Sequence, residues 1–425
     1  MSNSYATKKL FSNSLGLKRC LVSIIIATIY IVLSQIPLPF VNLNVIQQVM
    51  HDNNFKMLQI ISSLSGGNLN NLSILSVGLT PFIVVQMLMQ ILQTGISPQL
   101  KRLSEQANGQ RKINQIIKLV TVPLTALQAL LILITFDKIT KGKIFNVSND
   151  LSTLVFLTLV ITTCTMIVIW LSDINTIFGV GNGISFIVSC SILINIVQQF
   201  KSTSKLIGKL LVNNHNKEMV LAIIGILIVI TLYIAFCIWF QNCNVAIPIQ
   251  FAKLSSSIDK TGFLPFNLDI TNVMPIILSS TVMSILYALH IMHGVFAKMV
   301  NFKTFDSIIF YAFLLLIFTY ICTFIQFQPN NIIERLSREN TYITGIDLLN
   351  ANTSLTKILL KLASINYLFL LLVVILPMII FKLVNISETL SLISSSIIIL
   401  ITTETDIRRQ LSGLYAKQHV LKIFE

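Results

Sequence analysis

Charged residues are scarce in this chain of 425 residues: Asp, Glu, Lys and Arg together make up only 11% of it. Soluble domains carry about 25%. Hydrophobic residues make up 54%, so too few polar side chains remain to cover the surface of a molecule in water. The composition therefore argues against a water-soluble fold and indicates a membrane protein.

Acidic residues are the scarcer of the two charged classes, with 16 against 30 basic residues and a formal net charge of +14. A basic excess can serve nucleic-acid binding, but here the lysines lie at the ends of apolar runs and no aromatic residues are interleaved with them. Membrane topology and anionic lipid headgroups account for the excess. We therefore expect membrane lipids, and no nucleic acid, among the partners.

Catalytic and metal-binding patterns are also lacking. The six cysteines show no CxxC or other metal-type spacing, which predicts packing residues. His290 and His293 lie three residues apart, but no carboxylate or cysteine completes a metal set. The glycine-rich segment 179–183 lacks the Lys-Ser/Thr of a phosphate loop and has no strand before it. We expect neither an enzyme nor a cofactor.

Runs of about 20 apolar residues recur along the chain, and each matches a hydrocarbon core of about 30 Å at a rise of about 1.5 Å per residue. Because lipid offers backbone groups no hydrogen-bond partner, continuous runs of this kind predict helices and not a barrel. The first run has no signal-peptide cleavage site after it, which predicts a retained helix. The ten predicted spans are 21–38, 78–94, 114–136, 151–171, 180–199, 219–240, 271–290, 306–327, 364–383 and 387–403.

Ten spans place both termini on the same side of the membrane. If that side is the cytoplasm, all seven arginines are cytoplasmic, as the positive-inside rule expects. The sequence therefore predicts a multi-pass protein of the plasma membrane with both termini inside. Three predicted cytoplasmic segments, 95–113, 241–270 and 328–363, are long and polar enough to meet a partner in the cytosol.

One external loop, 41–77, is longer than the others. Its stretch 62–74 is too polar to span the membrane and too apolar for a free loop. A short re-entrant helix fits this composition, provided that protein or a water-filled cavity surrounds it. A surface amphipathic segment fits it as well.

Aliphatic residues at helical spacing mark two of the predicted spans. Leu79, Ile83 and Met87 follow one another at intervals of four residues, and Ile184 and Val188 do the same after the glycine-rich segment. Taken singly, each stripe is explained by lipid contact or helix packing. Acidic residues are almost absent from the spans, so an ion-coupled carrier lacks its usual signature.

Several different short motifs, each present once, follow one another along nearly the whole chain. They are Ile36-Pro37-Leu38-Pro39, Gly66-Gly67-Asn68-Leu69 with Ser73-Ile74, 78–83, 109–113, Trp170-Leu171 with 181–185, 248–253, 264–267, and Pro275 with Ser279-Ser280. In this order they resemble the SecY family of protein-conducting channels. Each motif alone is weak, and their ordered combination is specific.

The resemblance implies an all-α membrane protein of ten transmembrane helices in two pseudo-symmetric halves of five, arranged as a clamshell, with a re-entrant plug helix at about 62–76. The implied segments are a cytoplasmic N-terminal segment 1–20, an N-terminal half 21–199, an external hinge loop 200–218, a C-terminal half 219–403 and a cytoplasmic tail 404–425. Such a protein is the pore subunit of a translocase, and unfolded secretory polypeptides cross through it. The implied partners are a SecA-like motor ATPase, a SecE-like subunit, SecG-like or accessory small subunits, and the translocating polypeptide.

The resemblance also implies four groups of site residues. The pore ring is Leu79, Ile83, Ile184, Val188 and Ile277, with a tenth-span member left open because Ser394-Ser395-Ser396 departs from the family pattern. The plug includes Ser65, Gly66, Gly67, Asn68, Leu69 and Asn70. The lateral gate lies near Gln86 and Ser279. The motor-docking loops carry Lys253, Lys260, Arg335, Arg338 and Asp347.

The chain departs from the family pattern in both docking loops. Val245 and Ala246 stand where two basic residues are usual, and Asp347 stands where an arginine is expected. In this divergence it resembles the accessory SecY of Gram-positive bacteria, which exports serine-rich glycosylated adhesins. The alternatives are a housekeeping SecY-type translocase, a secondary solute transporter, which needs a polar site at the membrane midplane, and a polytopic membrane enzyme, which needs converging catalytic groups.

Overall fold

Apolar helices dominate the computed structural model of the protein. It describes residues 14–42, 45, 72–106, 108–140, 142, 151–211, 228, 231–251, 261–269, 271–293, 305–338, 341–343, 351–383, 397–405, 407–410 and 412–413.

The first six helices precede any strand in the described chain. They are α1 (Ser14–Gln35), α2 (Thr80–Ile91), which continues into a π-helical turn (Leu92–Ile96), α3 (Pro98–Glu105), α4 (Gly109–Ile139), α5 (Leu151–Phe178) and α6 (Gly183–Leu211).

The remaining elements mix helices with three strands. They are α7 (231–242), β1 (Asn244–Phe251), β2 (Thr261–Asn267), α8 (Met274–His293), α9 (Phe305–Phe327), α10 (Pro329–Arg338), β3 (Thr341–Ile343), α11 (Ala351–Leu383) and α12 (397–405).

Among the described residues, six helices are long and apolar enough to cross a membrane. They lie on α1, α4, α5, α8, α9 and α11, and the one on α9 continues into α10. These match the first, third, fourth, seventh, eighth and ninth predicted spans. Shorter apolar helices, Thr80–Thr94 and Gly183–Val197, lie in the second and fifth. Helices α7 and α12 overlap the C-terminal parts of the sixth and tenth predicted spans and extend two residues beyond each. The other residues of these two spans fall largely outside the described chain.

Buried hydroxyl groups in these helices donate to carbonyls of their own helix. Thr121 donates to Ile117 O at 2.6 Å, Thr125 to Thr121 O at 2.9 Å, and Thr319 to Leu315 O at 2.6 Å. Each of these threonines is fully buried. A small polar residue can therefore lie inside an apolar bundle without leaving an unsatisfied hydroxyl.

The helix contacts fall into two groups that meet at α8. In the first group α1 packs on α5 and α6, α4 packs on α2 and α5, and α5 packs on α6. In the second group α9 packs on α8 and α11, and Phe240 of α7 stacks on Phe369 of α11 with ring centroids 3.8 Å apart. Helix α8 contacts both α4 and α2. It therefore connects the two groups.

Two long polar segments of the sequence form one small sheet, which we call the loop sheet (β1, β2 and β3). Its strand order is β2-β1-β3, both pairs are antiparallel, and Ile247 lies opposite Leu264. Ile247 and Phe266 of the sheet pack with Leu355 and Leu359 at the start of α11. The sequence analysis predicted no strand here, so the sheet is an addition to the all-α membrane fold.

Candidate functional site

All five predicted pore-ring residues belong to, or pack against, one large apolar cluster that extends through the helix bundle. Leu79, Ile83, Val188 and Ile277 are buried members of it, and Ile184 is half-buried and packs against it. They come from three separate parts of the chain: the start of α2, the start of α6, and α8. The structure thus brings the predicted ring residues into the same apolar interior.

The start of α2 is fixed by local backbone geometry. Gly78 adopts a φ of +61°, a left-handed conformation that glycine accepts without strain. Pro81 lies in the first turn of α2, where its missing N–H group would have had no helical partner. The amide of Ile83 donates to Leu79 O at 3.1 Å, so Leu79 and Ile83 stand one helical turn apart.

Residues 65–70, the predicted plug residues, lie outside the described chain. The described end of the predicted plug, 72–76, forms turns, and every residue in it is buried. Leu38 N donates to Leu72 O at 3.0 Å and Ile74 N donates to Ile36 O at 3.1 Å, which makes a short antiparallel bridge to the segment directly after α1. The segment leading into α2 is therefore surrounded by protein, as irregular backbone at membrane depth requires.

The two predicted gate residues lie in different surroundings. Gln86 is half-buried on α2, and its Oε1 atom is buried without a hydrogen-bond partner. Ser279 is fully buried on α8, donates to Ile276 O at 3.0 Å, and faces the hydroxyl of Tyr311 on α9. Ser279 is thus directed toward α9, which belongs to the second helix group.

An apolar cluster, which we call the gate cluster, joins α2 to α8 and α9. Its buried members are Met87, Leu278, Cys322 and Ile325, and half-buried residues pack around them. The sequence analysis placed Met87 on one face with Leu79 and Ile83, but in the structure it belongs to this separate cluster. One feature of the sequence could have indicated the gate cluster. Met87 and Leu278, two of its members, are apolar and are the immediate sequence neighbours of the predicted gate residues Gln86 and Ser279.

The predicted motor-docking residues are only partly described. Lys253, Lys260 and Asp347 lie outside the described residues. Arg335 and Arg338 lie on α10, which packs on α11 and β3. Arg338 Nη2 donates to Glu334 Oε1 at 2.7 Å, and both side chains are exposed. The described docking residues thus stand on a helix that packs against the loop sheet and α11.

The tail after α12 contacts the loop sheet. With its amide oriented to satisfy both neighbours, Asn267 donates to Asn244 Oδ1 and accepts from Arg409 Nη1 at 2.8 Å. Ile407 packs against the turn before α6, where a Cβ atom on Gly181 would lie 3.0 Å from Ile407 Cγ1. Neither contact was foreseen from the sequence.

Comparison with known proteins gives a consistent result. A family model described as SecY matches residues 73–407. The chain is similar to protein translocase subunit SecY 1 of Lactobacillus kefiranofaciens subsp. kefiranofaciens, with 27% identity over 412 residues, 93% of this chain and 94% of that protein. It is also similar to protein translocase subunit SecY of Streptococcus gordonii, with 26% identity over 411 residues and 93% of each chain.

Solved structures share the fold. A structure of a protein-conducting channel is similar with a TM-score of 0.60 and 14% identity, over 92% of each chain. Sec61 in the canine ribosome–channel complex from the endoplasmic reticulum is similar with a TM-score of 0.57 and 14% identity, also over 92% of each chain. The helix arrangement described above is therefore one that polypeptide channels adopt.

Proposed function

The chain belongs to the SecY family of translocase channel subunits and is a multi-pass protein of the plasma membrane, and we propose that unfolded secretory polypeptides cross the membrane through it. The observation that carries this proposal is that Leu79, Ile83, Val188 and Ile277, from three separate helices, are all buried in the same apolar core. A narrow aliphatic constriction resists ion leakage because it dewets, and it offers a passing chain no specific bond. Such a barrier suits a channel for substrates of many sequences.

The plug seals the external side of this barrier at rest. In support, Leu72 and Leu75, at the described end of the predicted plug, are fully buried in the same cluster as the ring. The two backbone hydrogen bonds to the segment directly after α1 hold these residues in place. Because hydrogen bonds of this kind contribute about 1 kcal/mol each, a translocating chain can displace the adjoining plug without unfolding the bundle.

The lateral gate opens between α2 and α8 and lets apolar segments of a substrate reach lipid. This is supported by the gate cluster, where the contact between the helix groups is made by Met87 and Leu278 with residues of α9. Apolar side chains lose little free energy when they exchange protein contacts for lipid contacts, since lipid tails are equally apolar. A gate built from such residues can open without a large cost.

Energy comes from a SecA-like motor ATPase, because the chain is a channel subunit and not itself an enzyme. The motor docks on the loop sheet and α10, with Lys253, Lys260, Arg335, Arg338 and Asp347 at the contact. Both termini lie in the cytoplasm, on the same side as these loops. A SecE-like helix clamps the two halves 21–199 and 219–403 about the hinge 200–218, and SecG-like or accessory small subunits complete the complex.

The export substrates are serine-rich glycosylated adhesins, handled by an accessory system. The support for this is the altered docking surface, in which Val245, Ala246 and Asp347 replace basic residues. A housekeeping role is the competing proposal. Co-purification of the full chain from its own membranes, followed by peptide identification of the bound subunits and motor, distinguishes the two systems.

Proteoliposomes test the channel function itself. The purified chain with its small subunits is reconstituted, and a radiolabelled secretory polypeptide is added with a SecA-like motor and ATP. Motor-dependent protection of the polypeptide from external protease is expected, and vesicles without the chain are the control. Uptake of a small solute without motor or ATP, and no polypeptide protection, would instead identify a solute carrier.

A further inference from the structure

Three hydrogen bonds form a closed ring that joins α1, α5 and the turn between α5 and α6. Ser23 Oγ donates to Asn175 Oδ1 at 2.8 Å, Asn175 Nδ2 donates to Val180 O at 3.3 Å, and Val180 N donates to Ser23 Oγ at 2.8 Å. Ser23 and Asn175 lie 152 residues apart in the sequence. Each member both donates and accepts, so none of the three can be removed without breaking two bonds.

The ring lies inside the protein. Asn175 is 0% exposed, Ser23 is 4% exposed and Val180 is 7% exposed. Water therefore cannot replace a lost partner, and polar groups left unpaired in such surroundings are costly. A fully satisfied buried network of this kind specifies one arrangement of the elements that it joins.

The glycines of the turn allow the backbone to approach the ring closely. A Cβ atom on Gly179 would lie 2.1 Å from Asn175 Oδ1 and 2.6 Å from Ser23 Oγ. At the first residue of α6, Gly183 N donates to Thr176 Oγ1 at 3.0 Å, and a Cβ atom there would lie 1.8 Å from Ser172 O. The start of α6 is thus held directly against the end of α5, with no room for a side chain between them.

We propose that Ser23 and Asn175 are positioning residues that set the direction and rotation of α6, and thereby hold Ile184 and Val188 at the constriction. Only two residues separate Val180 from the first residue of α6. Ile184 follows in the first turn and Val188 in the second, and a helix is stiff over this length. The assignment of Ile184 and Val188 to a constriction rests on the proposed function, whereas the control of α6 by the ring does not.

The first test measures the position of α6 without reference to transport. Nitroxide labels are placed at Ile29→Cys on α1 and Leu193→Cys on α6, both exposed positions. In the labelled protein, the half-buried cysteines Cys20, Cys164 and Cys243 are replaced by serine so that they do not react with the label. The distance between the two nitroxides is measured in lipid nanodiscs by pulsed electron–electron double resonance. Ser23→Ala is expected to broaden the distribution of this distance or to shift it by about 1–2 Å, the size of typical helix shifts.

Ser172→Ala is the matched control. Ser172 on α5 is a buried serine, as Ser23 is, but its Oγ atom has no hydrogen-bond partner. The same substitution there is expected to leave the distance unchanged. If the Ser23→Ala protein does not accumulate in the membrane, Asn175→Asp is used in its place. This substitution keeps the shape of the side chain and removes its N–H donor. A distance that neither ring variant changes would overturn the proposal.

The second test measures resting ion leak of the same variants in planar bilayers at matched protein amounts. Ser23→Ala is expected to raise the leak several-fold over the parent and over Ser172→Ala. A changed distance with an unchanged leak, in a parent that translocates polypeptide, would mean that the ring orders α6 without guarding the constriction. A parent that moves no polypeptide would contradict the proposed channel function, while the distance result would still decide the role of the ring.

Discussion

The backbone amide of Leu38 donates to the carbonyl of Leu72 at 3.0 Å. This hydrogen bond joins the segment that follows α1 to the segment that leads into α2. Leu72 itself has a φ of +41°, which bulky residues rarely adopt, and is completely buried. A strained residue held in this way indicates that the surrounding contacts are strong enough to fix it. The described end of the predicted plug is therefore held in place within the same apolar core as the predicted pore-ring residues.

This anchored segment leads to a first prediction about leakage. Leu75→Ala removes a fully buried side chain from the central cluster, leaves a cavity, and is expected to raise resting ion leak. Leu88→Ala on α2 is the matched control, because Leu88 is exposed and its loss opens no cavity in the cluster. Leak is measured in planar bilayers at matched protein abundance. Equal leak in both variants would argue that the anchored segment takes no part in the seal.

Deletion of 64–71 is a second prediction about the same region. It removes the plug residues named from the sequence and keeps the bridge between Leu38 and Leu72. Resting conductance is expected to rise, while the protein remains folded by its elution profile and its melting temperature in detergent. Unchanged conductance with a normal melting temperature would show that this segment is a surface segment, the alternative that its composition also allows.

A third prediction concerns the gate cluster, which already contains the native Cys322. Met87→Cys places a second thiol in this cluster, so a short bifunctional thiol reagent is expected to link α2 to α9. The link should stop translocation by holding the gate shut. Leu88→Cys, one residue along on the exposed side of α2, should not be linked. A mobility shift after proteolysis detects the link, and full translocation by the linked protein would contradict the gate assignment.

A fourth prediction concerns the constriction. Cysteines at Ile83 and Ile184 are expected to crosslink to a polypeptide arrested in transit, because both would line its path. Leu193→Cys, exposed on the same helix as Ile184, should react with a lipid-borne probe only. If lipid probes alone label Ile83→Cys and Ile184→Cys, their stripes are ordinary packing faces.

The membrane helices could be predicted from the sequence because lipid leaves the backbone few choices: an apolar run of sufficient length must satisfy its own hydrogen bonds as a helix. The boundaries of α9 and of the start of α5 follow directly from such runs. The loop sheet was missed because its signal is short. In β1 only Ile247 and Ile249 alternate with exposed neighbours, and its apolar partners at Phe266 and Leu355 are distant in sequence.

Met87 belongs to a different cluster from Leu79 and Ile83 for a geometric reason. Four residues exceed one helical turn by about 40°, so a stripe at intervals of four drifts by about 80° over two steps. Leu79 and Ile83 face the central cluster, while Met87 has turned toward α8 and α9. The bond between Ser23 and Asn175 could not be predicted at all, since a pairing between distant side chains leaves no periodic pattern.

The last prediction is that a dedicated motor recognises the docking loops through Asp347, a residue outside the described chain but four positions after the end of β3. Where the family resemblance leads one to expect arginine, a partner contact suited to a cation would now meet a carboxylate. Reversal of a charge at an interface can cost several kcal/mol through repulsion and unpaired desolvation, enough to reject the wrong motor by orders of magnitude. The alternative is that Asp347 is an acid without a role in motor binding, since acidic residues are common on protein surfaces.

Affinities of the detergent-solubilised channel for a housekeeping motor and for a dedicated one distinguish these explanations. The parent is expected to prefer the dedicated motor, and Asp347→Arg to weaken that preference by lowering the affinity for the dedicated motor and raising it for the housekeeping one. Arg338→Ala is the control, because Arg338 belongs to the same predicted cytoplasmic segment 328–363, lies on α10, and already pairs its charge with Glu334. Because Arg338 is placed at the motor contact but is not one of the altered positions, its loss is expected to weaken the binding of both motors alike. Equal binding of both motors by the parent, unaffected by Asp347→Arg, would mean that this loop does not select the partner.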